Sequence, residues 1–264
     1  MQTAITPLTS TLLLRAKEAL VRGVIWAFIG ILYGMLFVFF AELGKEWNLP
    51  MHPYFFSGVL AGTIGALIYS SMRLAVLLAI IISPVCLLYF IFSSGPFLPS
   101  ELLKIVIPAG ALIGALYGLL SKSSRVYRAD AKMFTGFSAG FLAALVYLIL
   151  SELIRDVPLG IIVAVMCAVT GWLYVLFVPT FIRFLDNLLP PIGDGALAGA
   201  SVAIFLAVSF FIMITSISTG PEAQQLPLIQ QIHERLPQAV TGGMLGGALG
   251  GFLSGLFLTK WQDL

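Results

Sequence analysis

The sequence predicts an all-α fold: a polytopic α-helical integral membrane protein with about eight transmembrane helices. Hydrophobic residues make up 59% of the 264-residue chain and charged residues only 10%, whereas soluble domains carry about 25% charged residues. Mean hydropathy is +1.04. Nearly uncharged runs of about twenty residues recur along the chain, and a helix of that length crosses a hydrocarbon core of about 30 Å. We therefore expect a lipid bilayer to surround the protein.

Polar breaks divide the chain into an amino-terminal segment, a single transmembrane domain and a short tail. Residues 1–23 are amphipathic and contain no cleavage site, so we expect them to remain on the protein and to lie on the membrane surface. The transmembrane domain is predicted to cover 24–259, with a long loop at 218–238 that contains a short amphipathic helix, and a tail at 260–264. The predicted spans are 24–41, 55–72, 74–92, 105–121, 133–151, 158–180, 195–217 and 239–259.

Basic residues are distributed unevenly between the two predicted sides of the membrane. The side that holds both termini carries ten lysines and arginines, and the other side carries four. Short loops rich in Lys and Arg stay in the cytoplasm. Both termini are therefore predicted to be cytoplasmic, in a plasma (inner) membrane or another energy-transducing membrane. The basic loop at 121–132 is either a lipid-contacting anchor or the docking surface of a cytoplasmic partner.

Two glycine-rich stretches repeat one another. The stretches "GALIGALYGLLS" at 110–121 and "GMLGGALGGFLS" at 243–254 carry the same residue at eight of twelve positions. Shorter versions begin at Gly58 and Ala164, and all four lie in even-numbered spans. This register predicts four tandem helical hairpins, whose copies would be related by an axis along the membrane normal. The alternative is chance, because a glycine-rich apolar chain produces such matches easily.

Glycine is tolerated in these spans because the bilayer itself enforces the helix. In water each glycine costs a helix about 1 kcal/mol relative to alanine, but lipid offers the backbone no other hydrogen-bond partner. Small residues four apart form a flat stripe that a neighbouring backbone can approach closely. The broad stripe near the carboxyl terminus predicts contact with two helices of the same chain, or with a homo-oligomer or heteromeric membrane complex. The predicted helix-packing residues are Gly58, Gly62, Gly110, Gly114, Gly118, Gly243, Gly247 and Gly251.

The middle of every predicted span lacks Asp, Glu, Lys, Arg and His. Ionisable groups at that depth are typical of proton relays, ion coupling and voltage sensing, so the sequence argues against a proton-coupled transporter. Intramembrane proteases also need metal ligands or acids at depth. We therefore expect no enzyme activity, catalytic residue, metal or cofactor. The net charge of +2 and the lack of a basic domain argue against a nucleic-acid partner.

Uncharged polar side chains do occur in the middle of the spans. Most of them are expected to form hydrogen bonds between helices. The alternative hypothesis is that a subset converges on a cavity for a neutral, partly apolar solute, because such ligands bind against aromatic walls with a few hydroxyl groups. Convergence on one central cavity would favour transport, whereas contact with lipid or with different neighbours would favour a scaffold. The candidate cavity residues are Tyr117, Tyr147, Thr170, Trp172 and Tyr174.

Two functions are compatible with these patterns. The first is a channel, permease or carrier for a neutral or apolar solute, or the membrane subunit of a transporter, without intramembrane charge coupling. The mid-span tyrosines and tryptophan favour it. The second is a non-catalytic structural or assembly subunit of a larger membrane complex. Two features favour this second function. The middle of the spans lacks charged residues, and the broad glycine stripe offers more surface than one neighbouring helix would cover.

Overall fold

In the computed structural model the described residues form helices joined by short turns and loops, with no strand among them, which confirms the predicted fold class. Those residues are 7–92, 99–120, 128–153, 156–185, 188–217 and 227–257. Within these ranges eight helices are long and apolar enough to span a membrane, as expected of an integral membrane protein. They are α1 (Pro7–Glu46), α2 (Pro53–Ser70), α3 (Met72–Phe92), α4 (Pro99–Leu120), α5 (Ala129–Leu153), α6 (Leu159–Phe184), α7 (Pro191–Ile217) and α8 (Pro227–Phe257).

Two helices extend beyond the predicted spans. The amphipathic segment predicted at 1–23 is continuous with the first span from Pro7 onward, because no later proline interrupts α1 and Gly23 packs against α8. The helix predicted in the 218–238 loop is likewise the beginning of α8, which continues through Pro237. Residues 121–127, 218–226 and 258–264 lie outside the described residues, and they include most of the predicted docking loop and the whole predicted tail.

The helices alternate in direction, so their ends form two faces. α1 begins where α2 ends, since Trp26 contacts Tyr69 and Phe37 contacts Tyr54, with ring centroids 6.1 and 5.6 Å apart. The remaining helices continue this alternation. We name the two faces by their charged side chains. The basic face holds Arg15, Lys17, Arg22, Arg73, Arg128, Lys132 and Arg183, and the acidic face holds Glu42, Glu46, Glu101, Glu152, Asp156 and Glu234.

The carboxyl-terminal helix α8 places two adjacent glycine faces against two different helices. Gly243 lies against Gly30 of α1, and Gly247 lies against the Trp26 carbonyl, so closely that a Cβ atom on either α8 glycine would overlap the α1 backbone. The neighbouring face of α8 meets α6 in the same way. Both stripes are therefore covered within one chain. The α1 side of α8 consists of Gly243, Gly247, Gly251 and Gly255, and the α6 side consists of Gly242, Gly246 and Gly250.

Two further glycine seams join α4 to α7 and α2 to α5. Gly114 of α4 lies against Gly195 and Gly199 of α7. A Cβ atom on Gly62 of α2 would lie 3.1 Å from the Gly136 carbonyl oxygen of α5. The glycine seams thus join helices that belong to different predicted hairpins. The other predicted packing residues of these helices, Gly58, Gly110 and Gly118, lie in the same two seams.

Two buried aspartates tie α5 to α7 at the basic face. The Asp194 carboxylate accepts hydrogen bonds from the backbone N–H groups of Arg128 and Asp130, at 3.0 and 3.1 Å. The Asp130 carboxylate accepts one from the N–H of Leu189 at 3.1 Å. Negative charge is favourable in the first turn of a helix, where both aspartates lie. These bonds fix the two helix beginnings relative to each other.

Candidate solute-binding site

A small cavity lies in the middle of the bundle, walled by α1, α2, α6 and α8, with a volume of about 60 Å³. Aromatic rings stand between the helices at this level. Trp26 lies edge-on to Tyr69, and Tyr69 lies edge-on to Tyr174 with ring centroids 6.4 Å apart. We call this space the central cavity. It is lined by Trp26, Ile29, Gly30, Tyr33, Gly62, Ala66, Tyr69, Cys167, Thr170, Gly171, Tyr174 and Gly247.

Three polar groups in the wall of the central cavity are buried without a hydrogen-bond partner. They are the indole N–H of Trp26, the hydroxyl of Tyr33 and the hydroxyl of Thr170, on residues that are 6%, 4% and 6% exposed. The Tyr33 hydroxyl lies near Thr170 and the Tyr69 hydroxyl lies near Trp26, but neither pair has hydrogen-bond geometry. An unsatisfied buried polar group costs about 1–3 kcal/mol. A molecule that bonded to these groups would remove that cost.

The volume of the central cavity limits what it can hold in this conformation. One water molecule needs about 10–15 Å³ by this measure, whereas a cavity that binds benzene has about 150 Å³. A cavity of about 60 Å³ accommodates a few water molecules or a solute of a few heavy atoms.

A larger cavity of about 470 Å³ lies at the acidic face, lined by Tyr54 and Tyr147 together with residues of α5 and α6. We call it the acidic-face cavity. Met166 belongs to its wall, and the Met166 methyl group lies against Gly58. A Cβ atom on that glycine would lie 3.7 Å from the Tyr33 hydroxyl, which lines the central cavity. The Met166 side chain therefore lies close to both cavities.

A third cavity, of about 210 Å³, lies at the basic face, where α2 ends and α3 begins. We call it the basic-face cavity. Tyr69 lines both this cavity and the central cavity, so the two cavities adjoin at this residue. The acidic-face, central and basic-face cavities thus follow one another from one face of the bundle to the other.

A buried carboxylate stands beside the acidic-face cavity. The Glu42 side chain is 1% exposed and accepts hydrogen bonds from Lys45 Nζ at 2.8 and 3.0 Å and from Arg235 Nη1 at 2.9 Å. Arg235 also donates to the Tyr54 hydroxyl at 3.3 Å. A buried charge persists only where such partners compensate it. The cluster joins α1, α2 and α8 at the mouth of the acidic-face cavity.

His52 caps the beginning of α2 at the same mouth. Its Nδ1 atom accepts a hydrogen bond from the Tyr54 N–H at 3.2 Å, and its ring lies 5.6 Å from that of Tyr147. Partial burial, and secondarily the nearby charge of Lys45, lowers the pKa of His52. The ring is therefore neutral at pH 7, with the Nδ1 lone pair available to the cap.

The predicted cavity residues do not converge on one space. Thr170 and Tyr174 line the central cavity, Tyr147 lines the acidic-face cavity and Tyr117 lines the basic-face cavity. Trp172 is 43% exposed on the outside of α6. Single-cavity convergence, the condition that favours transport in the sequence analysis, is therefore not met. The predicted residues are instead distributed over three cavities and the outer surface.

The sequence analysis did not assign Trp26, Tyr33, Tyr69 or Glu42 to the site. Trp26 and Tyr33 are seven residues apart in one span, a spacing that places both on one face of α1. This seven-residue spacing is the sequence signal that indicates a shared site for Trp26 and Tyr33. The predicted first span ends at residue 41 and leaves Glu42 outside it, because the sequence does not show that α1 continues to Glu46.

Several mid-span hydroxyl groups bond to their own helix instead of bridging two helices. Thr63 donates to the Val59 carbonyl at 2.7 Å, and Ser209 donates to the Phe205 carbonyl at 2.9 Å. The expectation of bonds between helices does not hold for these residues. They contrast with Thr170, whose hydroxyl has no such partner.

No protein-family model, curated protein or solved structure matches this chain. The cavities and their polar groups are therefore the basis for a functional proposal.

Proposed function

We propose that the chain is a permease or carrier for a small neutral solute that both donates and accepts hydrogen bonds. The observation that carries the proposal is the central cavity, where Trp26, Tyr33 and Thr170 hold unpartnered polar groups in the middle of the spans. Uncharged polar groups suit a neutral solute, because an ion at this depth would need an opposite charge. A wall that served packing alone would have its buried polar groups paired.

The cavities in series supply a route for such a solute. From the acidic-face cavity the solute would pass Met166, bind in the central cavity and leave past Tyr69 into the basic-face cavity. Met166 is suited to a moving barrier, since its unbranched side chain adopts several rotamers. Met166 lines the acidic-face cavity, and Tyr69 lines both the central and the basic-face cavities. Transport then requires that each barrier opens in turn, with no ion-coupled step.

The test is solute flux into liposomes that contain the purified chain. After an osmotic step with urea the liposomes shrink as water leaves and then recover their volume as urea enters. This recovery, recorded by light scattering, should be faster than in protein-free liposomes. Thr170→Val keeps the side-chain shape but removes one hydroxyl from the central cavity. We expect it to lower urea flux about tenfold, the effect of one lost hydrogen bond.

The chain offers a matched control for this variant. Thr63→Val also removes a mid-span hydroxyl, but that hydroxyl bonds to its own helix and does not line the central cavity. Thr63→Val should therefore retain wild-type flux per folded molecule. Flux equal to that of protein-free liposomes for the wild-type chain would refute the permease proposal.

A second candidate function is that of a structural or assembly subunit in a larger membrane complex. The observation that favours it is the scattered placement of the aromatic residues, with Trp172 on the outer surface of α6. The measurement is the mass and composition of the particle extracted in mild detergent. A stoichiometric partner chain would support this function, and a particle of this chain alone would support an autonomous permease.

The orientation proposed here places the basic face in the cytoplasm, in a plasma or other energy-transducing membrane. The distribution of Lys and Arg supports it. A cysteine introduced at Ser123 in the 121–132 loop should react with a membrane-impermeant reagent only after the membrane is opened. Labelling of intact cells would place this loop on the other side.

A further inference from the structure

We infer that the basic-face cavity and the groove beside it bind an anionic phospholipid, with the headgroup phosphate in the cavity and one acyl chain in the groove. This inference is independent of solute transport. It rests on a buried hydroxyl, one arginine and an adjoining apolar channel.

The polar end of the site is the basic-face cavity. Its wall includes Ser70, Ser71 and Arg73 at the junction of α2 and α3, and none of the described residues that line it is acidic. The first N–H groups of a helix lack partners within that helix and, together with the helix dipole, attract anions. α3 has 21 residues and no acidic residue in its first turn. Because α2 ends at the same junction, the dipoles of the two helices offset each other there, and Arg73 is the positive charge in the described lining.

The Ser71 hydroxyl is a second and independent indication of a ligand. Ser71 is 3% exposed, lines the basic-face cavity, and its Oγ atom has no hydrogen-bond partner. A serine before a helix usually accepts a hydrogen bond from the first turn, and this one does not. Its O–H has no acceptor among the described residues. A phosphate oxygen supplies that acceptor and also pairs with Arg73.

The apolar end of the site is a groove of about 330 Å³ between α3 and α4, which we call the α3–α4 groove. It is lined by Leu77, Ile113, Leu116, Tyr117 and Leu120. Tyr117 also lines the basic-face cavity, so the polar and apolar spaces adjoin at its ring. The groove runs along two membrane-spanning helices from their basic-face ends.

This combination fits one class of molecule. A free anion would use the polar cavity and leave the groove to solvent or detergent, and an apolar molecule would use the groove alone. A phospholipid places a phosphate at the end of the hydrocarbon layer and an acyl chain within it. In this site the polar basic-face cavity adjoins the apolar α3–α4 groove, in the same order as the phosphate and the acyl chain of a phospholipid.

The experiment measures the thermal unfolding of the full chain in a neutral detergent as lipid is added. The probes are phosphatidylglycerol, phosphatidylcholine and inorganic phosphate, each titrated separately. We expect phosphatidylglycerol to raise the melting temperature of the wild-type chain at lower concentration than phosphatidylcholine. The double variant Ser71→Ala/Arg73→Gln should need about tenfold more phosphatidylglycerol for the same shift, since it loses a hydrogen bond and a charge.

Two controls separate a built site from surface charge and from general solvation. Arg183→Gln removes another exposed arginine of the basic face that does not line the cavity, and it should behave as the wild type. Leu116→Trp fills the groove, whereas Leu112→Trp changes a residue of the same helix that is 64% exposed and outside the groove. Only Leu116→Trp should weaken the phosphatidylglycerol effect. This pair also provides the test if the double variant does not fold.

Three results would overturn the inference. Equal shifts with both lipids, unchanged in the Ser71, Arg73 and Leu116 variants, would mean that lipid acts as a bulk solvent only. Equal weakening by Arg183→Gln would assign the effect to general surface charge. A full shift from inorganic phosphate alone, insensitive to Leu116→Trp, would identify a free-anion site instead of a lipid site.

Discussion

The α1–α8 seam and the central cavity are neighbours on α1, yet their packing is opposite. In the seam, Gly34 of α1 lies against the Ala239 carbonyl of α8, so closely that a Cβ atom on Gly34 would overlap it. On the adjacent face of the same helix, Trp26 and Tyr33 project between α1, α2 and α6, and a cavity remains. Lipid exerts no hydrophobic pressure that would close such a space. The size of the side chain at each position therefore decides where helices meet and where a solute can be held.

The largest expected effect is at the seam itself. Gly247→Leu places a side chain where even a Cβ atom would overlap the Trp26 carbonyl, and α1 must move away from α8. Overpacking by small groups already costs about 1–3 kcal/mol, so we expect this variant to give little folded protein. Yield of the monodisperse species and its melting temperature in detergent provide the measurement.

Gly65 supplies the matched control for this variant. A Cβ atom added there meets nothing within 4 Å, so Gly65→Leu should fold with wild-type yield. The comparison would fail if both glycine variants lost yield to the same extent, because the loss would then follow from helix composition and not from the seam.

The next effect concerns the acidic-face end of the seam, where Glu42 of α1 bonds to Arg235 of α8. Glu42→Gln removes a buried charge and leaves two cations with weaker partners. Breaking a buried pair costs about 3–5 kcal/mol, and we expect about 2 kcal/mol here because Lys45 and Arg235 are 34% and 38% exposed. Denaturant unfolding in mixed micelles measures the loss.

An exposed pair of the same spacing gives the reference. Glu101 and Lys104 are also three residues apart, with side chains 50% and 70% exposed, so Glu101→Gln should change stability by less than about 1 kcal/mol. Equal losses for the two variants would show that the Glu42 cluster does not hold the seam.

The sequence predicted the glycine stripes better than it predicted the cavity. A stripe is a property of one helix, so the four-residue spacing of Gly243, Gly247 and Gly251 is visible without knowing the neighbour. Which helix covers the stripe depends on the whole arrangement, and the α1 partner Gly30 was not assigned. The stripe was thus predictable and its partner was not.

Cavity lining depends on how each helix is rotated. Thr170 and Tyr174 are four residues apart and share one face of α6, whereas Trp172, two residues from each, projects to the other side. All three could not line one cavity on a regular helix. Helical geometry alone would have excluded Trp172, but the choice between Tyr117, Tyr147 and the unassigned Tyr69 needed the packing.

The next and smaller effect is a change in stability, and its sign shows whether the Thr170 hydroxyl in the central cavity lacks a hydrogen-bond partner. Thr170→Val replaces an unpartnered buried hydroxyl with a methyl group of similar volume, and removing that unsatisfied group should stabilise the empty protein by about 1 kcal/mol. Thr63→Val instead removes a hydroxyl that bonds to the Val59 carbonyl, so it should be neutral or destabilising. Melting temperatures of the two variants, measured without added solute, provide the comparison. A destabilised Thr170→Val protein would mean that this hydroxyl is already satisfied.

The smallest effect is a pH dependence at the mouth of the acidic-face cavity. Burial lowers the pKa of His52 below its ordinary value of 6.5, so the unfolded chain binds this proton more readily than the folded chain. Stability should therefore fall as the pH drops below about 6.5, and the fall ends below the lowered folded-state pKa. Because the ring is largely exposed, the change is small. His52→Asn keeps a cap acceptor and should flatten the dependence of melting temperature on pH between 7 and 5. If His52→Asn and the wild type lost stability in parallel over this range, the titrating group would lie elsewhere and the cap would not depend on the neutral imidazole.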